Sequence, residues 1–170
     1  MADPQLIVFA GTLGTGKSSL AREVARRLQA VYLGKATIKE RILSLGGRMQ
    51  LNEAQQLAGP VSYELLVDLA RDNISLGLSV VLDSPAGYKA YRERVKGLAR
   101  SAKIELRLIE CICTDERLLR QQMEGRTPAW VTYQHEEARF EKLTERRLVI
   151  DTAESLAVNA QKVLAYLGRS

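Results

Sequence analysis

The sequence is poor in the residues that form disulfide bonds and structural metal sites, with two cysteines and one histidine among 170 residues. Cys111 and Cys113 are one residue apart on a predicted strand, a spacing that does not comfortably close an ordinary disulfide. His135 is distant from them in sequence, so the usual donor set of a structural zinc site is lacking. The sequence therefore predicts reduced thiols and no structural metal.

Long hydrophobic runs and a basic leader segment are also absent from the sequence. A membrane span needs about 20 mostly apolar residues in succession, and a signal peptide needs a positively charged start before its apolar core. The chain also has no repeat, no linker and no low-complexity tract. We expect one cytoplasmic domain over residues 1–170 without a membrane partner, and the pattern indicates no particular oligomeric state.

Apolar runs that alternate with amphipathic segments predict an α/β fold. Residues 6–10 form a continuous apolar run of the kind found in strands buried on both faces, and a glycine-rich loop ends it. Leu20, Val24 and Leu28 then recur at helical spacing. About five strands alternating with helices predict an α/β sandwich with a mainly parallel sheet. The other predicted strands cover residues 31–33, 79–82, 104–111 and 148–150. The other predicted helices cover 36–45, 53–76 with an interruption near 59–60, 89–101 and 134–143. A further helix that Asp115 could cap carries Arg117, Leu118, Leu119, Arg120 and Met123, and a final amphipathic helix carries Leu156, Val163, Leu164 and Leu167.

Residues 11–18 match the phosphate-loop pattern G-x-x-x-x-G-K-[ST] at every fixed position. The glycines let successive backbone N–H groups converge on phosphate oxygens, and the helix that follows adds its positive N-terminal end. We expect Lys17 to reach the β and γ phosphates, and Ser18 to coordinate the Mg²⁺ that bridges them. The sequence therefore predicts binding of ATP or GTP with Mg²⁺. The predicted phosphate-binding residues are Gly11, Thr12, Leu13, Gly14, Thr15, Gly16, Lys17 and Ser18.

Asp83 stands at the carboxyl end of the predicted strand at residues 79–82, on the edge where parallel sheets bind their ligands. A carboxylate in this position can complete the magnesium shell or accept a proton from an attacking hydroxyl. The magnesium role is the preferred interpretation. The alternative is a turn residue before Pro85.

Three arginines precede or enter an irregular segment at about residues 124–132, which we expect to close over the nucleotide as a lid. The planar, permanently charged guanidinium suits the charge on a transferring phosphoryl group. We favour Arg120 and Arg126 for this role. Arg117 fits a solvated helix face beside acidic residues equally well.

Four segments of the chain read GTLGTGKSSLAREVARRL, VVLDSPAGY, TDERLLRQQMEGR and ARFEKLTERRLVIDTAESLAVNAQKVLAYL. Together they resemble the small P-loop kinases often labelled AAA-family ATPases, whose relatives include chloramphenicol phosphotransferase, zeta toxins and the kinase domain of polynucleotide kinases. The resemblance spans nearly the whole chain. It implies a three-layer P-loop NTPase fold with five strands in the order 2-3-1-4-5 and a small helical lid. It also implies that Ser19 contacts phosphate, that Arg120 and Arg126 act from the lid, and that Thr152 lies near the base-binding loop.

The chain departs from this family pattern after the second strand. Family members carry an aspartate in a segment like D-x-I-K, where it serves as the general base for the acceptor hydroxyl. Here the segment at residues 34–39 reads GKATIK, with Ala36 in the place of that aspartate. Either Asp83 takes over, or the acceptor needs little base assistance, or the chain is inactivated. Phosphoryl transfer depends mainly on positioning and electrostatics, so loss of the base need not abolish it.

These observations predict a kinase that moves the γ-phosphoryl group of ATP to a hydroxyl of a small molecule. We expect its acceptor pocket to come from residues 35–63 and 84–91. An RNA or polynucleotide kinase is one alternative, favoured by the net charge of +5, although the sequence has no basic run interleaved with aromatic residues. A nucleotide-binding switch or weak ATPase is the other alternative, and Ala36 favours it.

Overall fold

The computed structural model describes residues 3–45, 51–124 and 140–169 of the chain. Strands and helices alternate along it, as the periodicity predicts. Within these residues, no helix combines the length and the apolar character that crossing a membrane requires. The strands are β1 (Gln5–Ala10), β2 (Val31–Gly34), β3 (Val80–Asp83), β4 (Glu105–Ile112) and β5 (Leu148–Asp151), and the helices are α1 (Lys17–Leu28), α2 (Lys35–Leu45), α3 (Leu51–Ser75), α4 (Lys89–Ala102), α5 (Glu116–Met123) and α6 (Leu156–Tyr166).

The five strands form one parallel sheet in the order β2-β3-β1-β4-β5, which confirms the order that the family resemblance implies. The register places Asp83 beside Phe9 on one side and beside Gly34 on the other. The carboxyl ends of β1, β2 and β3 therefore meet at one edge of the sheet. This is the edge from which the phosphate loop leaves β1.

Each face of the sheet is covered by a different set of helices, because successive side chains of a strand point to opposite faces. Leu6 and Val8 of β1 face the layer that contains α3 and α4, and Ile7 and Phe9 face the layer of α1 and α6. Apolar side chains cover β1 from both layers, and its residues 6–10 are buried. This confirms the burial on both faces that the continuous apolar run predicts. The buried helix residues include Leu66, Ala70, Val95 and Leu98 on the first face and Leu20, Val24, Val163 and Leu167 on the second.

The predicted interruption of the third helix near Gly59 and Pro60 is wrong, because α3 runs without a break and Pro60 lies inside it. A proline in a helix interior costs about 3 kcal/mol. Burial on both sides of Pro60 offsets this cost, since Ala58 is completely buried and Leu66 is completely buried in the core against the sheet. The Ser62 hydroxyl also donates to the Gly59 carbonyl at 2.7 Å.

The helix predicted for residues 134–143 is wrong for residues 140–143, which are not helical, and its remaining residues lie outside the described ranges. The backbone here bonds to another loop instead of to itself, because the Glu141 N–H donates to the Gly87 carbonyl at 2.9 Å. Phe140 packs directly on Gly87, where a Cβ atom would stand 2.8 Å from the ring. Leu143 enters the core. Tertiary contacts with the loop after β3 therefore replace the helix.

A partly buried cluster of charges holds the segment that leads into β5. Arg92 of α4 is almost fully buried, and it donates to Glu145 Oε1 at 3.0 Å and to the Ala86 carbonyl at 2.9 Å. Lys96 donates to the same Glu145 oxygen at 2.8 Å. Burial of Glu145 favours the neutral acid, but hydrogen bonds from Lys96, the backbone and Arg92 outweigh it and lower the pKa of Glu145 to about 2. The loop after β3 and the segment before β5 are thereby joined through α4.

The low pKa of Glu145 predicts that part of the folded state's stability is lost in acid. A carboxyl group whose pKa is lowered on folding contributes stability that is complete above its unfolded pKa, near 4.5 for Glu145, and that is lost as the pH falls through the folded value. We expect the free energy of unfolding of Glu145→Gln, measured by urea titration with circular dichroism, to fall less than that of the unsubstituted chain between pH 5 and pH 2. Glu93→Gln is the control, because exposed Glu93 contacts the same Lys96 and solvent screens such pairs. Identical pH slopes for Glu145→Gln and the unsubstituted chain would contradict the assignment.

Candidate phosphate and metal site

The loop between β1 and α1 adopts a backbone that only glycine enters easily. Gly11, Gly14 and Gly16 have φ angles of 139°, 82° and 67°, all in the region that side chains disfavour. The Thr15 hydroxyl donates to the Thr12 carbonyl at 2.9 Å and closes the loop on itself. The two fixed glycines of the phosphate-loop pattern, Gly11 and Gly16, and Gly14 between them therefore stand where the fold requires glycine.

The loop is also wedged between neighbouring elements. A Cβ atom on Gly11 would lie 2.4 Å from the Cys111 carbonyl of β4, and the Gly11 N–H donates to the Pro85 carbonyl at 3.1 Å. On the other side, a Cβ atom on Gly14 would lie 2.8 Å from Met123 of α5. These contacts fix the loop against both β4 and the segment after β3.

The first turn of α1 is open to an anion. Gly16 is its N-cap and supplies no side-chain hydrogen bond, and the first turn contains no acidic residue. The N–H groups of Lys17, Ser18 and Ser19 are thus not capped by the N-cap side chain, at the positive end of a 12-residue helix. Backbone of this kind binds phosphate oxygens readily.

Asp83 accepts hydrogen bonds at both of its carboxylate oxygens. Lys17 Nζ lies 2.5 Å from Oδ1, and the Tyr32 hydroxyl donates to Oδ2 at 2.6 Å. Burial of Asp83 opposes its ionisation, but the charge of Lys17 and the hydrogen bonds of Lys17, Ser18 and Tyr32 prevail, so the pKa of Asp83 is lowered. The structure therefore brings three predicted site residues together, namely Lys17, Ser18 and Asp83. Sequence analysis missed Tyr32.

A cavity of about 460 Å³ lies over the loop and the first turn of α1. Eight of the predicted phosphate-binding residues line it, and so does Thr152. Gly11 does not, since it faces a second cavity of about 480 Å³ on the other flank of the loop, beside β4. The predicted residues that line the first cavity are Thr12, Leu13, Gly14, Thr15, Gly16, Lys17, Ser18, Ser19 and Thr152, and the lining residues that sequence analysis missed are Leu20, Gln122, Glu154, Leu156 and Asn159.

Thr152 supports the loop from the end of β5. Its hydroxyl lies 2.7 Å from the Thr15 carbonyl and 3.0 Å from the Ile112 carbonyl, so its single proton is shared between the loop and β4. Nearby, the buried side-chain amide of Asn159 donates to the Asp151 carbonyl at 3.1 Å and to the Glu154 carbonyl at 3.2 Å. The loop after β5 is thereby held against the cavity. No short motif marks Asn159, because its partners are backbone atoms of a distant loop.

Arg120 is not brought to the cavity in this structure. Its side chain is 73% exposed, and its guanidinium lies 3.6 Å from Glu116 on the same helix. The helix itself begins as predicted, with the Asp115 carboxylate accepting from the Arg117 and Leu118 N–H groups. Arg126 and residues 125–132 of the predicted lid lie outside the described residues. The roles of Arg120 and Arg126 stay predictions.

Next to Asp83, the start of α2 has alanine in the place of the family's aspartate, and a lysine comes directly before it. Ala36 is exposed in the first turn of α2, while Lys35 is buried with Nζ 4.3 Å from the centre of the Tyr63 ring. The Tyr63 ring in turn lies 4.5 Å from that of Tyr91 and 5.6 Å from that of Tyr88, measured between ring centres. These residues come from both segments predicted to form an acceptor pocket.

The donor set fits magnesium and no softer metal. Ser18 and Asp83 offer oxygen ligands, and Mg²⁺ is typically held by one or two such groups together with water and substrate phosphates. Across residues 3–45, 51–124 and 140–169, no group of three or more His, Cys, Asp or Glu residues is arranged for a metal. Cys111 and Cys113 are free thiols, and burial raises the pKa of Cys111 to about 12, which disfavours the thiolate that a metal would need.

The close approach of Gly11 to β4 predicts a strong effect of a single methyl group. Gly11→Ala would place Cβ against the Cys111 carbonyl and hold alanine at a φ of 139°, so we expect a loss of more than about 2 kcal/mol of stability together with weaker ATP binding. Thermal unfolding and calorimetric titration with ATP measure the two effects. Gly97→Ala in α4 is the matched control, since its Cβ would meet nothing within 4 Å, and it should raise stability by about 0.5–1 kcal/mol. Equal stability of the two variants would contradict the account of the loop.

Solved structures share this fold over almost the whole chain. A candidate kinase from Chloroflexus aurantiacus is 22% identical, with a TM-score of 0.78 over 99% of this chain and 98% of its own. The APS kinase of Mycobacterium tuberculosis, in complex with AMPPNP and APS, is 18% identical, with a TM-score of 0.69 over 99% of both chains. A gluconokinase from Sinorhizobium meliloti is 20% identical, with a TM-score of 0.67 over 99% of this chain and 94% of its own.

A search of curated proteins gives no significant match. A family model described as the AAA domain, in contrast, matches residues 6–150, which is most of the chain. The match includes the phosphate loop, Asp83 and all five strands except the first residue of β1 and the last residue of β5. The chain therefore belongs to the AAA domain family and has the fold of the P-loop kinases.

Proposed function

We propose that this protein is a kinase that transfers the γ-phosphoryl group of ATP to a hydroxyl of a small molecule. The observation that carries the proposal is the contact between Lys17 and Asp83 beneath the glycine-rich loop, at the open first turn of α1. These are the groups that a phosphoryl donor and its metal require. The APS kinase and the gluconokinase, which share the fold, are named for small acceptors, and this supports a small-molecule substrate.

The proposed roles follow from charge and position. Lys17 would bind the β and γ phosphates, residues 12–19 would hold phosphate oxygens through their N–H groups, and Ser18 and Asp83 would hold magnesium. Magnesium, when bound, neutralises charge on the phosphates during transfer. The cavity beyond the loop, next to Thr152, has room for the nucleoside. GTP is the alternative donor.

The surroundings of Asp83 favour the metal role over the role of general base. A carboxylate that accepts from Lys17 and Tyr32 and has a lowered pKa is a weak proton acceptor near neutral pH. With Ala36 in the place of the family's base, we infer that transfer relies on positioning and electrostatics, which dominate a loose transition state. Arg120 and Arg126 would add positive charge from the lid. We further propose one kinase-like domain over residues 1–170, acting in the cytoplasm.

A second candidate function is a nucleotide-binding switch or weak ATPase without an acceptor. Ala36 favours it, because the side chain that would accept the acceptor's proton is a methyl group here. An RNA or polynucleotide acceptor rests on net charge alone and stays a prediction.

The test is transfer of label from γ-labelled ATP with Mg²⁺ into pooled hydroxyl metabolites, into total RNA, or into water as free phosphate. We expect label in one or more small hydroxyl compounds, and a loss of at least about 100-fold in Lys17→Ala, because charge stabilisation at the phosphoryl group is removed. Lys17→Ala also leaves Asp83 buried without its cation, so its fold must be checked by circular dichroism. The double variant Lys17→Met/Asp83→Asn removes both charges and serves as the second inactive control.

Two outcomes would contradict the small-molecule kinase. Label in RNA alone would identify the acceptor as a polynucleotide, and label only in free phosphate would favour the switch or ATPase. Ala36→Asp separates the last case from a merely weakened kinase. A gain of transfer in that variant would indicate a kinase that has lost its base, and no gain with any acceptor would support the switch.

A further inference from the structure

The Tyr32 hydroxyl touches both of the groups proposed to hold magnesium. It donates to Asp83 Oδ2 at 2.6 Å, and it also lies beside the Ser18 hydroxyl, which slightly offsets the rise in the pKa of the phenol. Burial and the Asp83 contact raise that pKa overall. The phenol O–H donates to Asp83, so it acts as a hydrogen-bond donor and not as a metal ligand or a base.

The fold holds the Tyr32 ring in one place. Its hydroxyl passes over Gly34, where a Cβ atom would stand 2.9 Å from the phenol oxygen. The Arg22 guanidinium lies 5.1 Å from the centre of the ring, and the ring packs against the apolar layer between the sheet and α1. A cation over the ring and the open backbone of Gly34 thus fix the hydroxyl on Asp83.

Asp83 needs this donor most when nucleotide is bound. In the structure each carboxylate oxygen has its own partner, Lys17 at Oδ1 and Tyr32 at Oδ2. Once Lys17 turns to the phosphates and Ser18, which also bonds to Asp83, turns to the metal, Asp83 would be a buried charge with a rotatable carboxylate. A buried charge is tolerated only while its remaining hydrogen bonds are kept. Tyr32 supplies the bond that does not move.

We propose that Tyr32 is a positioning residue for magnesium: by anchoring Oδ2 of Asp83 it would keep the carboxylate oriented to hold the metal after Lys17 leaves. The inference rests on the proposed function, since it assumes that the loop binds a magnesium nucleotide. Residues that orient a metal ligand through a hydrogen bond commonly change metal affinity by about 10–100-fold when they are removed. The same order of effect is expected from loss of the Tyr32 hydroxyl.

The experiment measures binding without phosphoryl transfer. A non-hydrolysable ATP analogue is titrated into the protein by calorimetry, first with EDTA and then over a series of Mg²⁺ concentrations. Mg²⁺ should raise the affinity for the analogue, and we expect Tyr32→Phe to need at least about 10-fold more Mg²⁺ for half of that increase. Without metal, the affinity of Tyr32→Phe for the analogue should lie within about 2-fold of that of the unsubstituted chain. At saturating Mg²⁺ the two proteins should bind the analogue equally tightly. Tyr166→Phe is the matched control, because its ring also lies under an arginine, Arg107 at 5.1 Å, but outside the site.

The outcomes separate this inference from the proposed function. If the unsubstituted chain binds the analogue with no dependence on Mg²⁺, or does not bind it, the proposed function is overturned and the role of Tyr32 with it. If the unsubstituted chain depends on Mg²⁺ and Tyr32→Phe has the same Mg²⁺ midpoint, only the positioning role is overturned. An equal loss with and without Mg²⁺ would also overturn it, since a purely structural residue acts in that way.

Discussion

The buried carboxylate of Asp83 is the interaction on which the rest of the site depends. It is only 4% exposed, and it lies at the end of β3 between β1 and β2. A charge in this position must be compensated, so the fold supplies Lys17 from α1 and Tyr32 from β2. The ion pair orients Lys17 before any ligand arrives. Nucleotide phosphates must also compete with the Asp83 carboxylate for Lys17, because Lys17 has to leave Asp83 in order to bind them.

The phosphate loop can reach Asp83 only because backbones approach closely at the sheet edge. Gly11 lies against the Cys111 carbonyl and bonds to the Pro85 carbonyl, which ties the loop to β4 and to the segment that follows Asp83. On the far side, the Thr152 hydroxyl reaches the Thr15 carbonyl from the end of β5. The segment after β3 is held in turn by buried Arg92, which bonds to both Ala86 and Glu145. Each contact joins segments that are far apart in sequence.

This long-range character explains what could be predicted from sequence. The phosphate loop was predictable because its glycines are required by the local backbone conformation. Asp83 was predictable because a carboxylate that follows an apolar strand lies at the ligand-binding edge of a parallel sheet. The continuity of α3 through Pro60 and the non-helical course of residues 140–143 depend on packing against other elements, so local signals gave the wrong result there. Tyr32 was missed for a similar reason, since a tyrosine in a short strand reads as an ordinary strand residue until the sheet order sets β2 beside β3.

The central claim is that the contact between Lys17 and Asp83 opens to admit a magnesium nucleotide. A crystal structure with Mg²⁺ and a non-hydrolysable ATP analogue tests it most directly. We predict Lys17 Nζ on the β and γ phosphates, the N–H groups of residues 12–19 around them, and Asp83 beside the metal with Tyr32 still bonded to it. An analogue bound away from the loop, or a Lys17–Asp83 pair left intact beneath bound phosphates, would contradict the account.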